Sequence, residues 1–283
     1  MKQNTQEWLE LRKNYIGASD APIIMKVSPW RTPFQLWEEK LGVGKQQQET
    51  SSMRYGKENE ETARKAYEEY TSNLITPDVI FHPTRSYAMA SLDGINMNGD
   101  LIVEIKNANQ KDHELAKSGK VPEKYFPQLQ HQLDCLPGSV LHYWSFYNNE
   151  GVLVEVERDE GYISQLISEE GKFWELVEAF ESPPLLEKDY ITFVDDEEWA
   201  SIIAEAKELA DLESDLKMRK ELNREAMLNK CNDRSALGNG AKFTKSKPRG
   251  RIDYSGIPEL LGVDLDQYRK PSTYRWTLTF EKE

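Results

Sequence analysis

Ala90-Ser-Leu-Asp93-Gly-Ile-Asn-Met-Asn-Gly-Asp100-Leu-Ile-Val-Glu104-Ile-Lys106 is the stretch on which the reading of this chain turns. Its second half, Leu101 to Lys106, is rich in β-branched residues and follows the turn-like Asn98-Gly-Asp100, so it reads as a strand. Side chains at i and i+2 of a strand share a face. Glu104 and Lys106 are therefore expected to point together into one cleft, with Val103 and Ile105 turned to the core. Asp93, followed by the turn signal Gly94, is expected at the mouth of a preceding strand, Ser86–Ser91. Two carboxylates gathered in one cleft are costly unless a divalent cation neutralises them. An acid, ten residues, a second acid, one residue and a lysine thus suggest metal-dependent phosphodiester hydrolysis. The same Glu-x-Lys tripeptide also fits an exposed or ion-paired strand face, and local pattern does not decide between the two.

On the N-terminal side, Thr5 to Leu41 is helical in pattern, with interruptions at Tyr15–Ser19 and Ser28–Trp30. Thr32 and Pro33 are suited to cap and open a helix over Phe34–Leu41. The glutamine-rich Gly42–Ser52 reads as a loop, Arg54–Tyr70 as a helix, and Val79–Phe81 with Ser86–Ser91 as strands. On the C-terminal side come a charged loop and then a helix over Phe126–Leu136, with Pro127 tolerated in its first turn. Val140–Asn148 and Val152–Arg158 read as strands joined by the hairpin-like Asn149-Glu-Gly151. Glu160–Phe180 reads as an amphipathic helix. These elements predict an α/β core of helices around a five-strand mixed sheet, complete by about residue 190.

The C-terminal region, 191–283, has a different texture. Trp199–Leu228 is a charged helix whose Ile202, Leu209, Leu212 and Leu216 form a weak heptad, too short for a coiled coil, and it is expected to be a solvated arm or a helical hairpin. Gly238–Lys245 and Ser272–Phe280 look like strands of a C-terminal ribbon. Trp30, Trp37, Trp144 and Trp174 are expected in the core rather than as platforms for bases. Cys135 and Cys231 supply neither a disulfide framework nor a zinc ligand set.

The net charge of −13 argues against a protein that coats nucleic acid non-specifically, because neutralising phosphates takes many lysines and arginines. It leaves room for a local DNA groove, since the charge is segregated: Lys242, Lys245, Lys247, Arg249 and Arg251 lie in a stretch without acids. No run of residues has the length and apolarity of a membrane helix, and the polar N-terminus lacks the apolar core of a signal peptide. A soluble, cytoplasmic protein without a membrane partner is expected.

The chemistry at the opening stretch is coherent. A magnesium ion prefers oxygen ligands, commonly one or two carboxylates with water or phosphate completing the shell. Asp93, Glu104 and the backbone carbonyl of Ile105 meet that demand. Lys106, a compact point charge, suits a water or a phosphate in the transition state.

Five blocks in order, Trp8-Leu-Glu-Leu-Arg12 with Ile16-Gly-Ala-Ser19-Asp20, Tyr55-Gly-Lys-Glu-Asn-Glu60, Ser91-Leu-Asp93-Gly, Val103-Glu104-Ile-Lys106 and Tyr125-Phe-Pro-Gln128-Leu-Gln130-His131-Gln132, resemble the lambda-exonuclease or YqaJ-type viral recombinase family of the PD-(D/E)XK nucleases. The resemblance covers roughly residues 5–180. It implies a restriction-endonuclease-like α/β core and a Mg²⁺-dependent exonuclease, with Mn²⁺ able to substitute. Such an enzyme degrades one strand of linear duplex DNA 5′ to 3′ and leaves a 3′ single strand for phage-type recombination. By the same resemblance Asp93, Glu104 and Glu60 are metal-site carboxylates and Lys106 the catalytic lysine. Arg12 and Ser19 grip the 5′-terminal phosphate. Ser91 is expected to donate to a DNA phosphate, Tyr125 and Gln128 lie on the helix beside the active site, and Gln132 accompanies them. His131 is expected to be structural. The implied partners are DNA ends, further copies of the chain in a ring, first a trimer, and a single-strand annealing protein; if the chain is phage-encoded, its place is the bacterial host cytoplasm. Two other readings remain open: a structure- or site-selective endonuclease on the same fold, and a non-catalytic DNA-binding or annealing module.

Overall fold

The computed structural model describes residues 5–44 and 51–246. Two compact units divide the chain, Met1–Ile191 and Thr192–Glu283.

In the first unit, Thr5 caps helix α1 (Gln6–Lys13) by accepting the Trp8 N–H at 3.2 Å. A two-residue strand β1 (Ile16–Gly17) and a 3₁₀ turn lead into the short helix α2 (Ala21–Ile24). Helix α3 (Pro33–Leu41) has the anticipated start: Thr32 and Gln35 form a capping box with Pro33 at the first position, and Gly42 closes the helix in the left-handed conformation. Helix α4 (Ser51–Thr71) is followed by strands β2 (Ile75–Phe81), β3 (Ala88–Asn96) and β4 (Leu101–Asn107). The charged segment expected to be a loop is instead helix α5 (Gln110–Lys117), because Asn109 caps it by accepting the Asp112 N–H. Helix α6 (Phe126–Cys135), the hairpin of β5 (Val140–Tyr147) and β6 (Glu150–Val156), and helix α7 (Glu160–Ala179) complete the unit.

The sheet is mixed and has six strands, in the order β1-β3-β4-β5-β6 with β2 antiparallel to β3. The strand beyond the expected five is β1, which runs parallel to β3 through Ile16↔Ala88 and Gly17↔Met89. Both sheet faces are covered. On one, α4 packs Ala63 and Tyr67 against Leu101, Val103, Ile105 and Trp144. On the other, α6 packs Leu129 and Leu133 against Ala90, Leu92, Ile102 and Leu141. Helices α2, α3 and α7 share a further cluster built on Ile23, Leu36, Trp37 and Phe173. A mixed sheet between helical layers is the α/β architecture expected of the sequence.

Strand β3 carries the feature that positions the site. It runs through Asp93 and Gly94, where the sequence suggested a strand mouth and a turn. Against β2 the register passes from Thr76↔Ile95 to Asp78↔Leu92, two residues on β2 for three on β3. That extra residue is a bulge, which bends a strand and re-aims side chains. Gly94 is required there, because a Cβ would collide with the Ile75 side chain.

In the second unit, helix α8 (Glu197–Cys231) is capped by Asp196 and buries none of its residues, as a solvated arm should. Gly238–Lys245 is part of a tight hairpin rather than one strand: β7 (Ala236–Gly238) and β8 (Ala241–Phe243) turn through Asn239 and Gly240, both with positive φ. Lys242 and Lys245 lie on and beside β8, whereas Lys247, Arg249, Arg251 and the strand expected over Ser272–Phe280 fall outside the described residues.

Candidate functional site

Beyond Gly94↔Val103 and Ile95↔Ile102, strands β3 and β4 cease to pair. The Asp93 carboxylate occupies the fork and accepts the Ile105 N–H at 2.9 Å. Glu104 projects to the face covered by α6 and is 2% exposed. Gln128 Nε2 donates to its Oε1 at 2.6 Å and Gln132 Nε2 to its Oε2 at 2.5 Å. Lys106 Nζ also donates to Glu104 Oε1, so Glu104 and Lys106 share a face as their i, i+2 spacing requires, while Val103 and Ile105 enter the opposite core cluster.

The electrostatics follow from burial. Desolvation and the neighbouring Glu104 push the Asp93 carboxyl up to about 8, against the pull of Lys106 and of the Ile105 N–H. Burial works against the Lys106 charge, but the Glu104 and Asp93 carboxylates outweigh it and hold its pKa above the ordinary lysine value. One ammonium thus faces two carboxylates.

Glu60, on α4, adds to the field on Asp93, while its carboxylate pairs with Arg64 at 2.6 Å. Helix α4 is tied to the end of β4 by Asn107 Nδ2, which donates to Gly56 O at 3.0 Å. Among the described residues no group of three His, Cys, Asp or Glu side chains is arranged to hold a metal ion. The donors that a hard divalent cation can use are the oxygens of Asp93 and Glu104. Two carboxylates share one ammonium there, so the donor set fits such a cation in chemistry and in charge.

A second group of residues adjoins the first. Ser91 lies two positions before Asp93 on β3, roughly 7 Å along a strand, and its Oγ accepts the Trp8 Nε1–H at 3.2 Å. The Arg12 guanidinium lies 4.9 Å from the centre of the Trp8 ring and donates to Ser19 Oγ at 2.9 Å and Asp20 Oδ1 at 3.0 Å. Arg12 with its partner Ser19, and Ser91 from a separate block of sequence, are thus joined through Trp8. Beneath them Lys40, with a fully buried side chain, donates to Asp20 Oδ2 at 2.6 Å and to the carbonyls of Arg12 and Tyr15. Burial opposes the Asp20 charge, but Lys40 and Arg12 outweigh it and keep the carboxyl far below its usual range. Two cations around one carboxylate leave the pocket positive. In the sequence Trp8 and Asp20 stand out only as members of a matching block and Lys40 not at all, since nothing in their spacing marks a buried ion pair.

Tyr125 stands at the start of α6, with Lys106 Nζ 5.2 Å from its ring centre. His131 is buried away from the carboxylates, bonded to Glu170 Oε1 at 2.5 Å and to the Met89 carbonyl at 3.0 Å. Trp37 and Trp144 are core residues as expected, but Trp30 is 61% exposed, because its loop carries it to the rim beside Tyr125.

The class that the fold defines is an α/β protein whose mixed sheet opens at a fork holding two carboxylates and a lysine. Residues 7–136 match the sequence model of the YqaJ-like viral recombinase domain. It is 28% identical over 179 residues to the YqaJ protein of Bacillus subtilis (strain 168), covering 61% of this chain and 56% of that one. This chain thus spans little more than half the length of that relative. An alkaline exonuclease from Laribacter hongkongensis is similar in structure, with TM-score 0.55 and 27% identity over 62% of this chain and 94% of that one. The complex of that exonuclease with dAMP gives a TM-score of 0.54 at the same identity and coverage. Among the described residues no helix is long and apolar enough to cross a membrane.

Proposed function

We propose that the chain is a Mg²⁺-dependent exonuclease that degrades one strand of linear duplex DNA from its 5′ end and leaves a 3′ single strand for recombination. The observation that carries this reading is the adjacency of two sites along β3: the pocket of Arg12, Ser19 and Ser91, and the fork that holds Asp93, Glu104 and Lys106. A positive pocket beside a carboxylate cluster suits a terminal phosphate placed next to a scissile one. The similarity to an alkaline exonuclease supports the same class of reaction.

Asp93, Glu104 and the Ile105 carbonyl would hold the cation, with Glu60 joining once its carboxylate leaves Arg64. When bound there, a divalent cation supplies Lewis-acid polarisation of the phosphate and acidifies water toward neutral pH. The protein's own groups do the rest. Lys106 presents a point charge to the phosphate and orients the attacking water. Gln128 and Gln132 fix both oxygens of Glu104, so the carboxylate does not rotate away. Arg12 and Ser19 supply donors to the terminal phosphate, and Ser91, whose Oγ accepts from Trp8, keeps its own O–H to donate to the next one. The Tyr125 ring bounds the cleft beside Lys106.

A closed ring of subunits around the duplex is the assembly we expect, first a trimer, since enclosure explains how such an enzyme stays on its strand. The test of polarity is a linear duplex labelled on one strand at either end and digested with Mg²⁺. A 5′ label should appear early as mononucleotide while a 3′ label stays on long fragments; the reverse order would overturn the 5′ to 3′ reading.

A further inference from the structure

Trp30 leaves 61% of its surface in water, yet the loop that carries it is held firmly. Ser28, itself buried, accepts the N–H groups of Trp30 and Arg31 at 3.3 Å each. Thr32 Oγ1 donates to Asp189 Oδ1 at 2.5 Å, and Lys188 Nζ donates to the Ser28 carbonyl at 3.1 Å. The exposed indole is therefore presented by a braced loop, and its burial energy is left uncollected. One contact of the ring is informative. It stacks on Tyr125, with centroids 6.2 Å apart and planes 30° apart, and Tyr125 is the ring that carries Lys106. Lys124, paired with Asp112 at 2.6 Å, places its ammonium 5.4 Å from the Trp30 ring centre and 5.0 Å from that of Tyr125.

We propose that Trp30 is a stacking platform for an unpaired nucleobase of the strand engaged at Asp93, Glu104 and Lys106, with Lys124 meeting the adjoining phosphate. This rests on the nuclease reading above. Tyr125 lies between Trp30 and Lys106, so a base on Trp30 sits within a few nucleotides of a phosphate at Lys106, given about 3.4 Å per nucleotide along a strand. An aromatic face beside ammonium groups is the composition that single strands select: the ring takes any base, and the cation takes the backbone. A base held there would be lost to the duplex, which favours keeping the end open for the next cut.

The test separates this platform from the nuclease reading. In EDTA, where no cleavage occurs, the full chain is titrated with a labelled oligothymidylate and with an abasic strand of equal length, and binding is read by anisotropy. The unaltered protein should prefer the strand with bases. Trp30→Ala should weaken oligothymidylate binding by about 5- to 100-fold while leaving abasic binding unchanged. Trp30→Phe should keep most of the preference, which excludes misfolding as the cause. Equal binding of the two strands by the unaltered protein, or an undiminished preference in Trp30→Ala, would overturn the platform. Cleavage of a linear duplex is measured in parallel with Mg²⁺: cutting without base preference removes the platform and leaves the nuclease, and base preference without cutting does the opposite.

Discussion

The Asp93 carboxylate accepts the backbone N–H of Ile105 at 2.9 Å, across the fork where β3 and β4 stop pairing. A side chain here takes the place of a ladder hydrogen bond, so the same interaction terminates the pairing and aims the carboxylate at Glu104. Asp93→Asn keeps an acceptor for Ile105 and removes the negative charge. Its stability in urea should stay within about 1 kcal/mol of the unaltered protein, while DNA hydrolysis should fall on the order of 10²–10³-fold or more. A variant that unfolds early would show that Asp93 is structural first.

Glu104 takes three donors, two of them amides of α6. Gln132→Leu deprives Oε2 of its partner and frees the carboxylate to turn. Activity, and the Mg²⁺ concentration giving half of it, should each change by about 10- to 100-fold, the usual effect of losing a residue that orients a ligand. An unchanged metal dependence would remove Gln132 from that role.

Asp20 binds Arg12 and Lys40 together. Its folded pKa lies far below the ordinary 3.8, so its contribution to stability is fully present above that value and is lost as pH falls below it toward the folded pKa. Asp20→Asn strands the Lys40 ammonium in the interior, at a cost of about 3–5 kcal/mol near neutrality. Denaturant titrations from pH 7 downward should show a steeper loss below about pH 4 in the unaltered protein than in the variant. Parallel curves would contradict the ion pair.

His131 and Glu170 give the opposite sign. Burial disfavours the imidazolium, but the Glu170 carboxylate outweighs it and raises the pKa well above 6.5. The stability it contributes is full below 6.5 and is lost as pH rises through the raised value. Glu170→Gln should be less stable near pH 6 and show a shallower alkaline decline, measured by thermal unfolding across pH 6 to 10.

Much of the site was legible because β4 has a strict period: Glu104 and Lys106 fall on one face, Val103 and Ile105 on the other, and no partner strand is needed to see it. The Thr32 cap and the hairpin between β5 and β6 are equally local. What the sequence concealed depends on tertiary contact. A two-residue strand such as Ile16–Gly17 has no alternation to detect, and it exists only because β3 offers an edge. Gly94 signals a turn in isolation; it lies in a bulge because Ile75 approaches its Cα from the neighbouring strand. Lys40 looks like any helix-surface lysine until Asp20 and two carbonyls surround it. Trp30 resembles the core tryptophans in sequence and differs only in where its loop is pinned.

Cutting at the fork from a DNA end gripped by Arg12 is tested most directly by comparing substrates that differ only in their ends. Linear duplex with a 5′-phosphate, the same duplex with a 5′-hydroxyl, and a covalently closed circle are incubated with Mg²⁺ and the protein, alongside Asp93→Ala, Lys106→Ala and Arg12→Ala. Only linear DNA should be consumed, and Asp93→Ala and Lys106→Ala should abolish this. The 5′-phosphate should be preferred, and Arg12→Ala should erase the preference. Cutting of the circle, or equal digestion of the two linear ends by the unaltered protein, would contradict an end-gripping mechanism.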